Sequence, residues 1–203
     1  MLLFEILGAE DHPAYRAMQA QNNARLHDYM LSAIEAALAV DKLFLSQTII
    51  RAMNFHAITT LHVNAGEYRV CEVAVGDFEP PPYFRVAALM DDFTNTVNRY
   101  WESANAINLA AYVLWRLNYI HPFINGNGRA ARAAAYFVLC VKSGGLLPGN
   151  TTLPELLLRD RNEKLVPALQ QIDQSMGGQQ FTLLPLIELI SDLVIEQLDS
   201  QEN

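Results

Sequence analysis

The chain has 203 residues, 51% of them hydrophobic, and 14 Lys and Arg against 22 Asp and Glu give a formal net charge of −8. That length and apolar content suit one good core and exclude a disordered chain. The acidic balance excludes the basic face that a phosphate backbone needs, so nucleic acid is not an expected partner. The apolar runs fall short of the ~20 residues of a membrane helix. The start, MLLFEILGAED, lacks the basic region of a signal peptide. The expectation is a cytoplasmic protein without membrane contact. Cys71 and Cys140 are far apart and lack metal-type spacing, so they are expected as free thiols in a reducing compartment.

Residues 1–10 read as a short strand or a docking segment. Asp11 and Pro13 predict a helix start, with Asp11 as cap. Apolar residues at Tyr15, Met18, Leu26, Met30, Ile34 and Leu38 continue that helix. Ser46 predicts the cap of a second helix, running to Leu61. His56 and His62 lie six apart and do not stack on one helix face, which favours packed or capping histidines over metal ligands. His12 and His27 belong to no constellation. Asn64-Ala65-Gly66-Glu67 is a turn signal. After it, Tyr68, Val70, Val73 and Val75 alternate imperfectly with other residues, Gly76-Asp77 gives a second turn, and Pro80-Pro81-Pro82 stops any central strand. A short β-hairpin is predicted there. From Phe84 the spacing Val86, Leu89, Met90, Phe93 and Val97 is helical. Ser103 is the predicted cap of the next helix, 106–119, and Trp101 and Trp115 read as core or boundary aromatics.

The stretch His121-Pro122-Phe123-Ile124-Asn125-Gly126-Asn127-Gly128-Arg129-Ala130-Ala131-Arg132 lies between two apolar segments, 109–120 and 133–141. A loop there sits at the shared end of two buried elements, where a rigid scaffold can fix a site. Gly126 and Gly128 allow the backbone to turn its N–H groups inward as an anion nest, and the helix that follows adds its N-terminal dipole. Arg129 and Arg132, three apart, can face the same end of that helix, and guanidinium forks match phosphate oxygens. His121, ahead of the rigid Pro122, can take a proton from a hydroxyl. A base beside a phosphate cradle points to transfer of a phosphate-containing group to an alcohol.

The helix is expected to reach Lys142 and end at Gly144-Gly145. Leu146-Leu147-Pro148-Gly149 is a loop, Pro154-Glu155 opens a short helix, and residues 159–164 form a charge run that reads as a solvated face. Met176-Gly177-Gly178-Gln179-Gln180 reads as a hinge. A last amphipathic helix, 185–198, either completes the core or makes a dimer face.

The central stretch resembles the signature of the Fic (Fido) family, HPFx(D/E)GNGRxxR, and matches every specified position except one. The flanks LHVNAGEYRV, EPPPYFRVAALM and LLPG are similar to Fic sequences too, so the resemblance covers about residues 45–175. It implies a mainly α, Fic-type helical bundle with a short β-hairpin flap over the active-site loop. Residues 1–44 would be an N-terminal helical extension packed on the core, and residues 45–203 the Fic domain with its C-terminal helix. It implies transfer of AMP from ATP to a Ser, Thr or Tyr hydroxyl of a target protein. His121 would deprotonate that hydroxyl, and Gly126, Asn127 and Gly128 would hold the α-phosphate. Arg129 and Arg132 would hold the outer phosphates, and a buried Phe123 would anchor the loop. The flap at Val73, Ala74 and Val75 would pair by main chain with an extended target segment. A secondary reading of the 159–164 run, beside the solvated face, places one of its arginines near the nucleotide.

The departure is Asn125, where the family has the Asp or Glu that holds Mg²⁺. Asn keeps a carbonyl oxygen and loses the charge that a hard cation prefers. Three readings stay open: an AMP transferase attenuated at Asn125, a catalytically weak nucleotide-binding or protein-interaction module, and a Fic enzyme using another NTP, phosphate or phosphocholine. The family's inhibitory pattern, (S/T)xxxE(G/N), is not matched. Glu202-Asn203 has Leu198 where Ser or Thr is needed, and Thr151 with Glu155 is followed by Leu156. Restraint would then come from a separate inhibitory partner chain, or be unnecessary because Asn125 already attenuates the site; a homo-oligomer is a second partner option.

Overall fold

The computed structural model describes residues 2–40, 44–76, 78–176 and 181–200. Over these residues the chain is helical: α1 (Leu3–Leu7), α2 (Pro13–Ala39), α3 (Gln47–Ile58), α4 (Val86–Arg99), α5 (Ala106–Ile120), α6 (Asn127–Ser143), α7 (Leu153–Arg159), α8 (Val166–Ser175) and α9 (Leu184–Asp199). A 3₁₀ turn, Tyr83–Arg85, leads into α4, and a π-helical turn, Arg161–Leu165, joins α7 to α8.

The core is built around α6. Its run of Ala130, Ala131, Ala133, Ala134 and Ala135 is buried. Such small side chains let other helices approach closely, and α5 packs along α6 most extensively, followed by α3 and α2. Larger residues on the same helix, Tyr136, Phe137 and Leu139, are buried as well. Each such side chain contributes roughly 1.5–3 kcal/mol by leaving water. α2 adds Leu26, Met30 and Ile34 to the same core. It is pinned to the end of α3 where Asn22 donates to the carbonyls of Thr59 (2.8 Å) and Ala57 (3.4 Å). α9 completes the other side: Gln197, fully buried, bonds to Leu153 N, Tyr136 Oη and the Leu147 carbonyl. Trp101 and Trp115 are both buried.

Several local expectations are corrected. The cap of α2 is His12, whose Nδ1 accepts from Ala14 N, and not Asp11. Asn105, not Ser103, caps α5 through Asn108 N. Of the two readings of the N-terminal residues the docking segment holds and the strand does not: residues 3–7 form a helical turn docked by its backbone on Thr60 and Leu61. The Ser46 cap and the Gly144 stop of α6 are present, and the short helix expected at Pro154-Glu155 is α7, which opens on a Thr152–Glu155 capping box not expected from the sequence. The hinge expected at 176–180 lies, beyond Met176, outside the described residues, as does Glu202-Asn203.

The hairpin is the main departure. Among the described residues no strand forms, and the segment carries a single isolated bridge between Val75 and Phe78. The reason lies in residues 68 and 69. Arg69 N donates to the Pro122 carbonyl (2.8 Å), and the Tyr68 hydroxyl donates to Gln47 Oε1 (2.8 Å). The segment is therefore tied to the motif loop and to α3 instead of to a partner strand. Pro80, Pro81 and Pro82 remove the donors a returning strand would need.

Candidate active site

His121 ends α5. It caps the helix in the left-handed conformation (φ 50°, ψ 58°), and its N–H bonds to the Leu117 carbonyl at 3.0 Å. Pro122 disfavours a right-handed helical conformation in the residue before it, so the helix has to stop here. A non-glycine residue at positive φ costs about 1–3 kcal/mol and persists only when its surroundings hold it. The holder is Arg69. Its side chain is wholly buried, and its Nε donates to the His121 carbonyl at 2.8 Å. Its other nitrogens reach the carbonyls of Cys71, Pro81 and Ile120. A planar guanidinium suits this because its five donors leave in fixed directions.

The His121 ring is mostly buried, and Nδ1 lies 3.3 Å from the Asn118 carbonyl. A carbonyl can only accept, so this contact assigns the hydrogen to Nδ1 and leaves the Nε2 lone pair open. Burial pushes the imidazole pKa down to about 4; the Asn118 carbonyl opposes that shift and the Arg69 charge adds to it. At neutral pH the ring is an uncharged base.

The loop between α5 and α6 is held by two asparagines. Asn127, buried, clamps Phe123 at both its N–H (2.9 Å) and its carbonyl (2.8 Å). Asn54, fully buried on α3, donates to the Asn125 carbonyl (2.8 Å) and accepts from Gly66 N (3.0 Å). Phe123 is buried against Tyr68. Gly126 stands at φ +75°, where a Cβ would lie 2.6 Å from Ile58 Cγ2. Gly128 has an ordinary helical conformation. Its bare Cα leaves the start of α6 uncluttered, and only Gly126 needs the left-handed region.

The N-terminus of α6 carries no side-chain cap. Its first N–H groups and the helix dipole therefore face a cavity of about 930 Å³, which His121, Asn125 to Arg129, Arg132 and Arg161 help to line. The two motif arginines differ. Arg129 donates to the Ala57 carbonyl (2.7 Å) and to Asn125 Oδ1 (3.0 Å), so part of its fork already braces the loop. Arg132 is 7% exposed and pairs with no carboxylate among the described residues. Burial pushes its pKa down to about 10, and the neighbouring charges of Arg129 and Arg161 push in the same direction. Three cations converge there, and an anion would relieve them.

Asn125 is more occupied than a metal position should be. Its Oδ1 accepts from Gly126 N (2.6 Å) and from Arg129 Nη2 (3.0 Å), which uses both lone pairs. Its Nδ2 donates to Glu10 Oε1 at 2.8 Å. The residue offers no oxygen to a cation, and the motif position on its own does not fit Mg²⁺.

Of the flap residues, Ala74 and Val75 line the same cavity as His121, while Val73 and Ala74 also line a neighbouring one of about 880 Å³. The segment is a wall between the two. His62 is packed: the Tyr15 hydroxyl lies 2.7 Å from its Nε2 and Phe4 lies against its ring. No group of three potential metal-ligating side chains occurs among the described residues. Within the charge run, Arg159 pairs with Asp160 and Glu196, and Lys164 with Asp160, as a solvated face would. Arg161 instead lines the cavity. Sequence reasoning missed Arg69, Asn54 and Glu10. Each acts across the chain, and the only local signal was an arginine among apolar residues in a predicted strand.

A family model described as Fic/DOC family matches residues 44–139. The chain is 38% identical over 109 residues to a protein adenylyltransferase Fic of Drosophila persimilis, an alignment covering 52% of this chain and 21% of the relative. It therefore spans about a fifth of the length of that relative. Among solved structures it resembles a Fic domain containing signaling protein from Bacteroides thetaiotaomicron, with a TM-score of 0.73 and 23% identity over 97% of this chain and 76% of the other. It also resembles BepC, a VirB-translocated effector of Bartonella tribocorum solved with bound AMPPNP, with a TM-score of 0.59 and 14% identity, over 91% and 88% of the two chains. No described helix is long and apolar enough to cross a membrane.

Proposed function

We propose that this chain, which belongs to the Fic/DOC family through residues 44–139, transfers AMP from ATP to a Ser, Thr or Tyr hydroxyl of a target protein. The observation that carries the reading is the neutral imidazole of His121 and the unpaired Arg132 facing one cavity at the uncapped start of α6. The name of the Drosophila relative and the adenine nucleotide in BepC support AMP as the group and ATP as its donor.

In this reading the target hydroxyl approaches His121 Nε2, which takes its proton. The hydroxyl oxygen forms a bond to the α-phosphorus, the bond from that phosphorus to the bridging oxygen breaks, and pyrophosphate leaves. The first-turn N–H groups of Asn127 and Gly128 stabilise the α-phosphate, while the Gly126 N–H is taken by Asn125 Oδ1 and the Asn127 side chain only holds the loop. Arg132, aided by Arg161 and the remaining donors of Arg129, takes the outer phosphates and the leaving group. Preorganised charge of this kind is usually the largest catalytic term, and one lost donor costs about 10²–10³-fold. The exposed main chain at Ala74 is a place for an extended target segment to add by strand pairing. A second reading, nucleotide binding with little turnover, draws on Asn125, which brings no charge to the phosphates.

The test is transfer of label from α-³²P-ATP to lysate proteins by wild type, His121→Ala and Asn125→Asp. Label lost in His121→Ala supports transfer. Label that persists in His121→Ala refutes the assigned base. Label seen only with Asn125→Asp favours the second reading for the native chain.

A further inference from the structure

We infer that Glu10 supplies the carboxylate for a divalent cation that accompanies the nucleotide, in place of the acid absent at Asn125. The inference rests on the nucleotide-transfer reading above.

A hard cation bridging phosphates needs one or two anionic oxygens from the protein. Asn125 cannot give one, because its Oδ1 is filled by Gly126 N and Arg129. The same side chain points its Nδ2 at Glu10 Oε1, 2.8 Å away, so a carboxylate stands within one hydrogen bond of the position where the motif lacks one. Glu10 lines the cavity that holds His121, Arg129 and Arg132. Its side chain is 51% exposed; Oε1 takes the Asn125 amide and lies 3.6 Å from His62 Nε2, while Oε2 has no hydrogen bond or ion pair among the described residues. The contact spans 115 positions in the chain. It is set by the docking of α1 on Thr60 and Leu61 and by the start of α2 at Pro13.

Two other carboxylates line the cavity, and neither fits. Glu155 accepts from Thr152 N (2.7 Å) and from the Thr152 hydroxyl (2.8 Å), and is committed to capping α7. Asp28 sits on α2 and makes no ion pair or hydrogen bond with the motif loop among the described residues. The second indication of a ligand is Arg132. Arg132 is 7% exposed, has no hydrogen-bond or ion-pair partner among the described residues and lines this cavity; a polyphosphate would give it one, and a polyphosphate brings its own cation. The amide of Asn125 then serves to orient Glu10, as outer partners orient metal-ligating carboxylates elsewhere.

The test is binding, not turnover. A non-hydrolysable ATP analogue is titrated calorimetrically into wild type, Glu10→Gln and Glu10→Gln/Asn125→Asp, each in EDTA and in Mg²⁺. Mn²⁺ bound in the nucleotide complex is read in parallel by electron paramagnetic resonance. Wild type is expected to bind at least about tenfold tighter with Mg²⁺ and to hold Mn²⁺ in the complex. Glu10→Gln is expected to lose both effects while keeping its affinity in EDTA and its thermal midpoint. The double variant is expected to regain them, which separates a lost ligand from a damaged fold. The assignment is overturned if Glu10→Gln keeps the Mg²⁺ effect or if wild type shows none. It is also overturned if Glu10→Gln binds more tightly in EDTA and Mg²⁺ alike, because Glu10 would then only repel phosphate. In those three cases nucleotide binding itself leaves the reading beneath intact. An analogue that fails to bind wild type under either condition overturns both.

Discussion

Arg69 lies wholly buried with its Nε 2.8 Å from the carbonyl oxygen of His121, and its backbone N–H 2.8 Å from the carbonyl of Pro122. The proposed base is held in a left-handed conformation by a residue 52 positions earlier. Arg69 does not line the His121 cavity, so it acts by position. Arg69→Gln is expected to cost about 3–5 kcal/mol of stability, because several buried carbonyls lose their donor. In the surviving folded enzyme, kcat should fall with KM for ATP little changed, and Arg69→Lys should recover stability better than kcat. Steady-state kinetics beside a thermal melt separates the two effects. A change in KM alone would contradict the positioning role.

Arg132 offers the opposite test. A buried charge with no carboxylate partner weakens the empty protein. Arg132→Met is expected to raise the thermal midpoint without nucleotide and to weaken ATP binding by about a hundredfold, within the 2–5 kcal/mol lost when a buried charged contact is removed. Melting curves with and without ATP read both. A lowered midpoint in the empty variant would show that Arg132 has a structural partner.

His121 also sets a pH dependence. Its folded pKa of about 4 lies below the ordinary 6.5, so the unfolded chain binds the proton more readily. Stability is therefore whole above pH 6.5 and declines as the pH falls from 6.5 through 4. His121→Asn should show a shallower decline across that window in chemical denaturation. Part of the slope should remain, because burial depresses His62 and His56 as well.

Gly126 is fixed by two independent constraints, its φ of +75° and the 2.6 Å approach of a Cβ to Ile58 Cγ2. Gly126→Ala is expected to cost about 2–4 kcal/mol, strain and overpacking together. Ile58→Leu, which removes the Cγ2 branch, in the same chain should return only the packing share when urea midpoints are compared.

The motif is legible in the sequence because its chemistry is local. A histidine before proline, a glycine before a helix and two arginines one turn apart have the same meaning wherever the fold places them. Helices with clear spacing, such as α4 and α6, are legible for the same reason. The hairpin is not. Alternation at Tyr68, Val70, Val73 and Val75 looks like a strand only until Arg69 is seen to bond the end of α5. By residue type alone Asn125 is a weakened ligand; that its oxygen is filled and its amide meets Glu10 depends on α1 docking beside α3. Of the arginines in the 159–164 run it is Arg161 that lines the cavity, because Asp160 and Glu196 hold Arg159.

The most direct test of AMP transfer is which phosphorus of ATP stays on the target. Wild type and His121→Ala are incubated with lysate and with ATP labelled at either the α- or the γ-phosphate. AMP transfer predicts protein-bound label from the α position alone, released pyrophosphate, and loss of that label in His121→Ala. Retained γ label, or α label that survives His121→Ala, would contradict it.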